Sequence, residues 1–367
     1  MATTNPAAPA TPLALPDRAR IAQAVRTKLP FSAEFASLTP LAGDASNRRY
    51  FRVGLSRMSP ASLILMQLAE PEGFKHSEEA VSGASVQLNE LPFTNVLSYL
   101  AKAGVAVPSL YWYDRDAGLL YLEDFGDTTL AEASRNAGRP RIEQLYRHAI
   151  DGLILLQANG TARRDPGCIA FHRRFDVPLL MWEFEHFLEY GVAARQEKPI
   201  KHEDEVAVRE AFQGIARMLA DEPQVFVHRD YHSRNLMVAG ERLGVIDFQD
   251  ALLGPASYDL ASLLRDAYIE LDEDMIDGLI DRFLDGMAVQ GRVWADRAAF
   301  RRLFDLTSIQ RNLKAAGRFV YIDRVKHNPK FLADIPRVLG YVKRNLLKYP
   351  ELSTLRTHLA PYVPELQ

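Results

Sequence analysis

The sequence predicts an α+β protein of two lobes, a β-rich N-terminal lobe and a larger helical C-terminal one. Three observations predict it. The 367 residues suit two ordinary domains or one large two-lobed unit. Short β-like runs dominate to about residue 125, and stretches at helical spacing dominate after Gly126. Strands first and helices second is the pattern of α+β architectures.

Residues 1 to about 16 are rich in Ala, Pro and Thr and read as a disordered tail. The first lobe is expected over 17–125. Within it, Arg49-Tyr50-Phe51-Arg52-Val53 alternates polar and apolar, and Ser62-Leu63-Ile64-Leu65-Met66 is an apolar strand. Gly54 to Pro60 reads as the loop between them. Phe93–Ala103 carries Val96, Leu97 and Leu100 at helical spacing, with Gly104 as a C-terminal cap. Leu119–Leu122 is a further strand.

The second lobe is expected over 126–367, with the boundary near Glu123–Thr128. Helices are expected over Arg141–Gln157, Leu179–Tyr190, Glu205–Ala220 and Asp259–Ala267, with several beyond Asp274. Gln224–Val227, Asn235–Val238 and Leu243–Asp247 are its strands. No internal repeat of fixed period is visible. Glu270–Asp285 is strongly acidic and Arg301–Lys348 strongly basic. Ile276, Leu279, Ile280, Phe283 and Leu284 place an apolar stripe beneath the acids, so a solvated helix face accounts for them.

Composition narrows the function classes. Lys plus Arg number 44 against 47 Asp plus Glu, and a formal charge of −3 gives no bulk drive toward nucleic acid. Cys168 is the only cysteine, which excludes an internal disulfide or a cysteine-built zinc site; its default is a buried small apolar residue. No apolar run approaches the roughly 20 residues that cross a bilayer. The N-terminus lacks a basic start and is interrupted by prolines, making a poor signal peptide. The expectation is a cytoplasmic protein with no membrane and no nucleic-acid partner.

The chemistry concentrates in Val225–Val238 and Gly244–Asp250. Asn235 opens one strand, Ala239–Arg242 turn, and Leu243–Asp247 return antiparallel, so Asn235 and Asp247 stand at the same end of a hairpin. Asp230 lies on the loop that enters it. Two carboxylates and an amide, all hard oxygen donors, suit Mg²⁺ with phosphate oxygens and water. A carboxylate beside such a metal can instead accept a proton from a nucleophilic hydroxyl. Phosphoryl transfer needs little more than positioning and neutralisation of charge. A surface hairpin whose Asp and Asn merely end strands would not explain His228 and Asp230 flanking Arg229 at these spacings. A zinc pair of His228 and His232 fails, because the intervening residues lack a glutamate and the segment is not helical.

His228-Arg229-Asp230 with Asn235, and Ile246-Asp247-Phe248, resemble the catalytic loop and metal-binding motif of the aminoglycoside phosphotransferase superfamily, of protein kinase-like fold. The resemblance implies ATP and Mg²⁺ as cofactors, Asp230 as catalytic base, Asn235 and Asp247 as Mg²⁺ ligands, and His228 as a brace of the loop. Gly254–Leu260 also matches, and there Asp259 would support the catalytic loop, a role compatible with capping a helix. The short link from Asp247 to Asp259 leaves no room for a protein-kinase activation segment, which favours a small substrate.

The nucleotide end is less orthodox. Gly43-Asp44-Ala45-Ser46-Asn47 is a polar turn that can offer N–H groups to phosphate, as can an ordinary hairpin turn. By the resemblance, Ser46, Asn47 and Arg49 would contact the nucleotide, and backbone near Glu123 and Phe125 would take adenine. The strand Leu63–Gln67 lacks the usual phosphate-contacting lysine, and Phe93 stands about where its glutamate partner would fall. Arg48, Arg49, Arg52 and Lys75 are alternative sources of the missing charge.

Ala42–Tyr50, Phe226–Met237, Val245–Pro255, Leu264–Tyr268 and Gln310–Gly317 together look like the bacterial cell-wall sugar kinases acting on the anomeric hydroxyl of N-acetylmuramate and N-acetylglucosamine. This implies a small-molecule sugar substrate from peptidoglycan recycling. Asp250, Arg265 and Arg311 lead the candidates for the sugar side, with Tyr231, Arg234 and Asp266 behind them. Two rivals stand beside this reading: an antibiotic phosphotransferase using the acidic stretch for a polycation, and a nucleotide-binding pseudokinase.

Overall fold

A computed structural model describes residues 14–41, 48–56, 60–68, 90–196 and 199–367. They fall into two compact units. One holds the described residues of Met1–Gly73 with Ser109–Asp124, and the other those of Phe74–Pro108 with Phe125–Gln367.

The elements of the first unit are α1 (Arg18–Thr27), β1 (Glu34–Pro40), β2 (Arg49–Ser56), β3 (Ser62–Gln67), β4 (Leu110–Asp114) and β5 (Leu119–Glu123). The strands form an antiparallel sheet in the order β1-β2-β3-β5-β4, packed on α1. Asp17 caps α1 by accepting from the Ala19 amide. Ile21, Ala24 and Val25 of α1 are buried with Phe51 and Val53 of β2, Leu63 and Leu65 of β3, and Tyr121 of β5. The period-2 alternation read in the sequence therefore turns Phe51 and Val53 toward α1 and Arg52 to the opposite face.

Residues 14–16 of the expected tail are described. Ala14 offers its carbonyl to Gln67 Nε2 at 3.0 Å, and Pro16 is buried; residues 1–13 lie outside the described residues.

The second unit begins with α2 (Pro92–Lys102), the helix expected over Phe93–Ala103, followed by Gly104 at φ 81°. Sequence reading placed this helix in the lobe ending at 125, but its side chains bind the other unit. Asn95 receives the Ile169 amide at 2.8 Å and donates to the Gly167 carbonyl at 2.7 Å. The Tyr99 hydroxyl lies 2.8 Å from the carbonyl oxygens of both Gly160 and Arg163, which share its single proton. A sequence break cannot reveal that a helix inserted between strands packs elsewhere.

The rest is mainly helical: α3 (Leu130–Arg135), α4 (Arg139–Ala162), α5 (Val177–His186), α6 (His202–Ala220), α7 (Ser257–Leu264), α8 (Glu273–Val289), α9 (Arg297–Lys326), α10 (Ile335–Lys348) and α11 (Ser353–Leu359). Thr129 and Glu132 form a capping box that starts α3. Four short strands interrupt the helices: β6 (Gln224–Val227), β7 (Leu236–Ala239), β8 (Arg242–Val245) and β9 (Leu252–Pro255). β6 pairs with β9, and β7 pairs with β8 through a two-residue turn led by Gly240 at φ 64°. The long α9 buries Phe304, Ile309, Leu313 and Val320 and carries Gln310, Arg311 and Lys314 toward the β6–β7 loop.

Candidate active site

β6 ends at Val227, and the eight residues His228–Asn235 lead into β7. Two buried carboxylates staple this loop. Asp259, in the first turn of α7, accepts from the amides of His228 at 2.7 Å and Arg229 at 2.9 Å. Asp266, just beyond α7, accepts from the amide of Ser233 at 2.8 Å and from that of Tyr268 at 2.9 Å. Arg229 sits at φ 81°, a conformation a long side chain adopts only when its surroundings enforce it. The Asp259 bond to its amide is that enforcement.

His228 braces the turn from within. Its Nδ1 accepts from the Asp230 amide at 3.2 Å, which leaves Nε2 to donate to the Ile246 carbonyl at 3.0 Å. Burial lowers its pKa, against the pull of Asp230 and Asp247, so the ring is neutral with its proton on Nε2. Both nitrogens are engaged, so His228 is no zinc ligand. Among the described residues no group of three or more His, Cys, Asp or Glu could hold a metal ion.

The hairpin has the geometry read from the sequence. Leu236 pairs with Val245, and the Ile246 amide donates to the Asn235 carbonyl at 3.0 Å, carrying the pairing one step further. Asn235 and Asp247 therefore lie at its open end. The Asn235 side-chain amide donates to the Asp230 carbonyl at 3.0 Å, tying that end to the loop and orienting Oδ1 as the acceptor. Asp247, at φ 64°, is exposed, and its Oδ1 accepts from Gln249 at 2.8 Å. One amide oxygen and one exposed carboxylate fit an ion that takes its other ligands from phosphate and water, as Mg²⁺ does.

Asp230 itself is half-buried. Burial raises its pKa, but the cations of Lys314, Arg229 and Arg311 overcome that and hold the carboxyl below the usual carboxylate range. Two of these cations share a partner that sequence reading missed. Glu183 of α5 is fully buried and receives Arg229 at 2.9 Å, Lys314 at 3.0 Å and Gln310 at 2.8 Å. Burial raises its pKa, yet Lys314 and Arg229 hold it ionised. The Lys314 ammonium also donates to the Tyr258 hydroxyl at 3.2 Å. An acid inside the apolar run Leu179–Phe187 was the available signal, because such a residue requires buried partners.

Other expected residues fare differently. Arg265 was expected on the sugar side, but it is fully buried, and both its Nη atoms bond Glu273, at 2.7 and 2.8 Å. Tyr231 points inward and donates to the Ala149 carbonyl at 2.9 Å, and Asp266 is the staple described above. Arg311 is buried on α9 with its Nε on Ser262 Oγ, and Asp250 is half-buried three residues past Asp247. Phe93 packs on Phe248, beside Asp247, with ring centroids 5.0 Å apart. Cys168 is buried, which pushes its thiol up to about 11.

In the first unit, Leu65 and Met66 are fully buried where the lysine was sought. Arg52, across from Ile64 on β3, forks onto Asp124 at 2.7 and 3.1 Å, and Ser62 Oγ joins it at 2.6 Å. Arg49 lies over the Phe51 ring. Glu123 receives the Ser109 amide and hydroxyl at 3.1 and 2.9 Å. In the second unit, Phe125 is buried against Gly244, where a Cβ would meet its ring at 2.3 Å. Ser46, Asn47 and Lys75 lie outside the described residues.

A model of the phosphotransferase enzyme family matches residues 37–300, most of the chain and all of this loop and hairpin. The chain belongs to that family. Among curated proteins, this phosphotransferase is 31% identical over 331 residues to an N-acetylmuramate/N-acetylglucosamine kinase of Pseudomonas aeruginosa, covering 89% of this chain and 88% of that one. It is 32% identical over 328 residues to the Neisseria meningitidis protein of the same name, covering 89% and 90%. Solved structures share its protein kinase-like fold. A choline/ethanolamine kinase family protein from Mesorhizobium loti aligns with a TM-score of 0.57 at 20% identity over 94% of this chain and 99% of that one. An ADP-bound aminoglycoside phosphotransferase aligns at 0.55 and 13% identity, over 88% and 97%.

Proposed function

We propose that this phosphotransferase transfers the γ-phosphoryl group of ATP to the anomeric hydroxyl of an N-acetylated amino sugar, N-acetylmuramate or N-acetylglucosamine. The observation that carries the reading is the stapled loop and hairpin that converge Asp230, Asn235 and Asp247, in a chain that aligns along nine-tenths of its length with kinases of that name. Asn235 and Asp247 would hold Mg²⁺, which when bound would supply neutralisation of charge on the phosphates. Asp230, kept ionised by Lys314, Arg229 and Arg311, accepts the proton of the sugar C1 hydroxyl. The C1 oxygen bonds to the γ-phosphorus, the bond to the β-phosphate oxygen breaks, and ADP leaves. The anomeric hydroxyl is the most acidic of the ring because the ring oxygen withdraws electron density. Asp230 and His228 thus act as base and brace, and Asp259 as the support of both. On the family resemblance, Ser46, Asn47 and Arg49 serve the phosphates, and the chain segment that follows β5 serves adenine. The role is recycling of cell-wall sugars in the cytoplasm; no helix among the described residues is long and apolar enough to cross a membrane.

A polycationic antibiotic is disfavoured by the state of the acidic stretch. Asp272 and Asp274 bond Arg139; Glu273 bonds Arg265 and Arg301; Asp281 and Asp285 bond Arg297. Its acids are already paired with arginines of the chain. Retention of a base with an oriented metal amide disfavours a pure nucleotide binder.

An ADP-release assay over N-acetylated sugars, aminoglycosides, choline and homoserine tests the reading. The expected product is a sugar 1-phosphate, whose phosphorus NMR signal couples to the C1 proton. Phosphate at C6, or turnover with aminoglycosides alone, would overturn the substrate assignment and leave the family standing.

A further inference from the structure

An acceptor such as N-acetylmuramate differs from N-acetylglucosamine by a lactyl ether that ends in a carboxylate, and recognising it calls for a cation near the catalytic loop. Arg265 is committed to Glu273, and Arg311 bonds Ser262. Arg234 is placed otherwise. It lies on the catalytic loop itself, four residues after Asp230 and next to Asn235. Its guanidinium carbon lies 3.5 Å from the centre of the Tyr268 ring and 5.8 Å from that of Phe331. Tyr268 is anchored through its amide to Asp266, the same carboxylate that holds Ser233. The guanidinium is therefore stacked on a ring fixed by the loop's own staple, which pre-orients its planar fork.

Arg234 Nη1 is buried without a hydrogen-bond partner among the described residues. The neighbouring acid does not supply one, since Asp334 bonds Arg337, whose Nη1 also reaches the Ala267 carbonyl. A buried guanidinium nitrogen without an acceptor is rare in folded proteins and invites one. A carboxylate is the group whose geometry and charge match the fork.

We propose that Arg234 binds the carboxylate of the acceptor and so selects an anionic N-acetylated sugar over its neutral counterpart. The assignment rests on the substrate reading above and adds the residue that discriminates within it. Tyr268 holds the guanidinium in place, and Asp266 fixes both to the loop that carries Asp230.

The test is the ratio of kcat/KM for N-acetylmuramate to that for N-acetylglucosamine, measured within single preparations of wild type, Arg234→Gln and Arg234→Lys. A ratio within one preparation is unaffected by the fraction that has folded. The expected result is a fall of about tenfold or more in Arg234→Gln, the scale of a lost hydrogen bond to a charged group. Arg234→Lys, which keeps the charge and loses the fork, should fall between it and wild type. A ratio within about twofold of wild type in both variants would overturn the assignment while wild-type turnover leaves the substrate reading intact. Wild-type protein that phosphorylates neither sugar overturns both.

Discussion

Replacing Asp259 should dismantle the catalytic loop from behind, without touching any group that meets the substrate. Its carboxylate holds two buried amides at 2.7 and 2.9 Å, and one of them belongs to Arg229 at φ 81°. A hydrogen bond to a charged group contributes about 1.5–3 kcal/mol net, and a strained backbone stores about 1–3 kcal/mol that the surroundings must hold. Asp259→Asn keeps one acceptor and sets an amide donor against an amide donor, so about 2–4 kcal/mol of stability should go. Asp259→Ala loses both acceptors and should cost about 3–5 kcal/mol. Urea unfolding at pH 8 measures both. Turnover of the folded fraction should fall about 10²-fold, because a displacement of the base by about 1 Å has that effect. The pH dependence adds a sign. Burial pushes Asp259 up to about 7, above the ordinary value near 3.9. A raised pKa contributes stability that is fully present below about pH 4 and declines as pH rises through about 7. The penalty of Asp259→Asn should therefore be larger at pH 5 than at pH 8. Wild-type stability and turnover in Asp259→Asn would refute the reasoning.

The remaining predictions concern the loop's candidate base, the hairpin's candidate metal ligand and the buried acid Glu183. Asp230→Asn should lower single-turnover rates by about 10²–10⁴ with nucleotide affinity retained, and near-normal turnover would remove Asp230 from the role of base. Asp247→Ala should raise the Mg²⁺ concentration needed at fixed ATP, since it deletes a charged ligand; an unchanged metal titration would put the cation elsewhere. Glu183→Gln should destabilise the fold by about 3–5 kcal/mol in urea unfolding, because it leaves the Arg229 and Lys314 charges without their shared buried carboxylate. A loss below about 1 kcal/mol would show that solvent takes up that role.

Local chemistry was legible in the sequence wherever sequence neighbours set it. The β7–β8 hairpin was readable because a two-residue turn fixes its register, and with it the common end shared by Asn235 and Asp247. The β2 and β3 strands were readable from alternation and from an apolar run, and α2 from helical spacing closed by Gly104. Pairings across long stretches of chain were not. The unit to which α2 belongs depends on Asn95 and Tyr99 meeting segments some 60 to 75 residues away. Arg265 was expected on the sugar side from the Leu264–Tyr268 segment that carries the sugar-kinase resemblance. Whether that charge is spent on Glu273, eight residues on, is decided by how the non-helical segment between α7 and α8 folds.

The same distinction explains why base and support were not equally visible. Asp230, Asn235 and Asp247 are candidates by spacing, since the chemistry proposed for them requires a fixed loop and a fixed hairpin. Asp266 and Glu183 are identified by partners: the Ser233 amide for one, Arg229 and Lys314 for the other. Neither acid's sequence neighbours name those partners. Together with Asp259 they account for how a loop with a long side chain at positive φ is held still without an activation segment to press on it. In place of such a segment, the chain uses buried carboxylates from α5, from α7 and from the turn after α7, each spent on the loop's own amides or cations. Part of the precision that the proposed phosphoryl transfer demands of Asp230 is thus provided by acids engaged with the loop's own amides and cations.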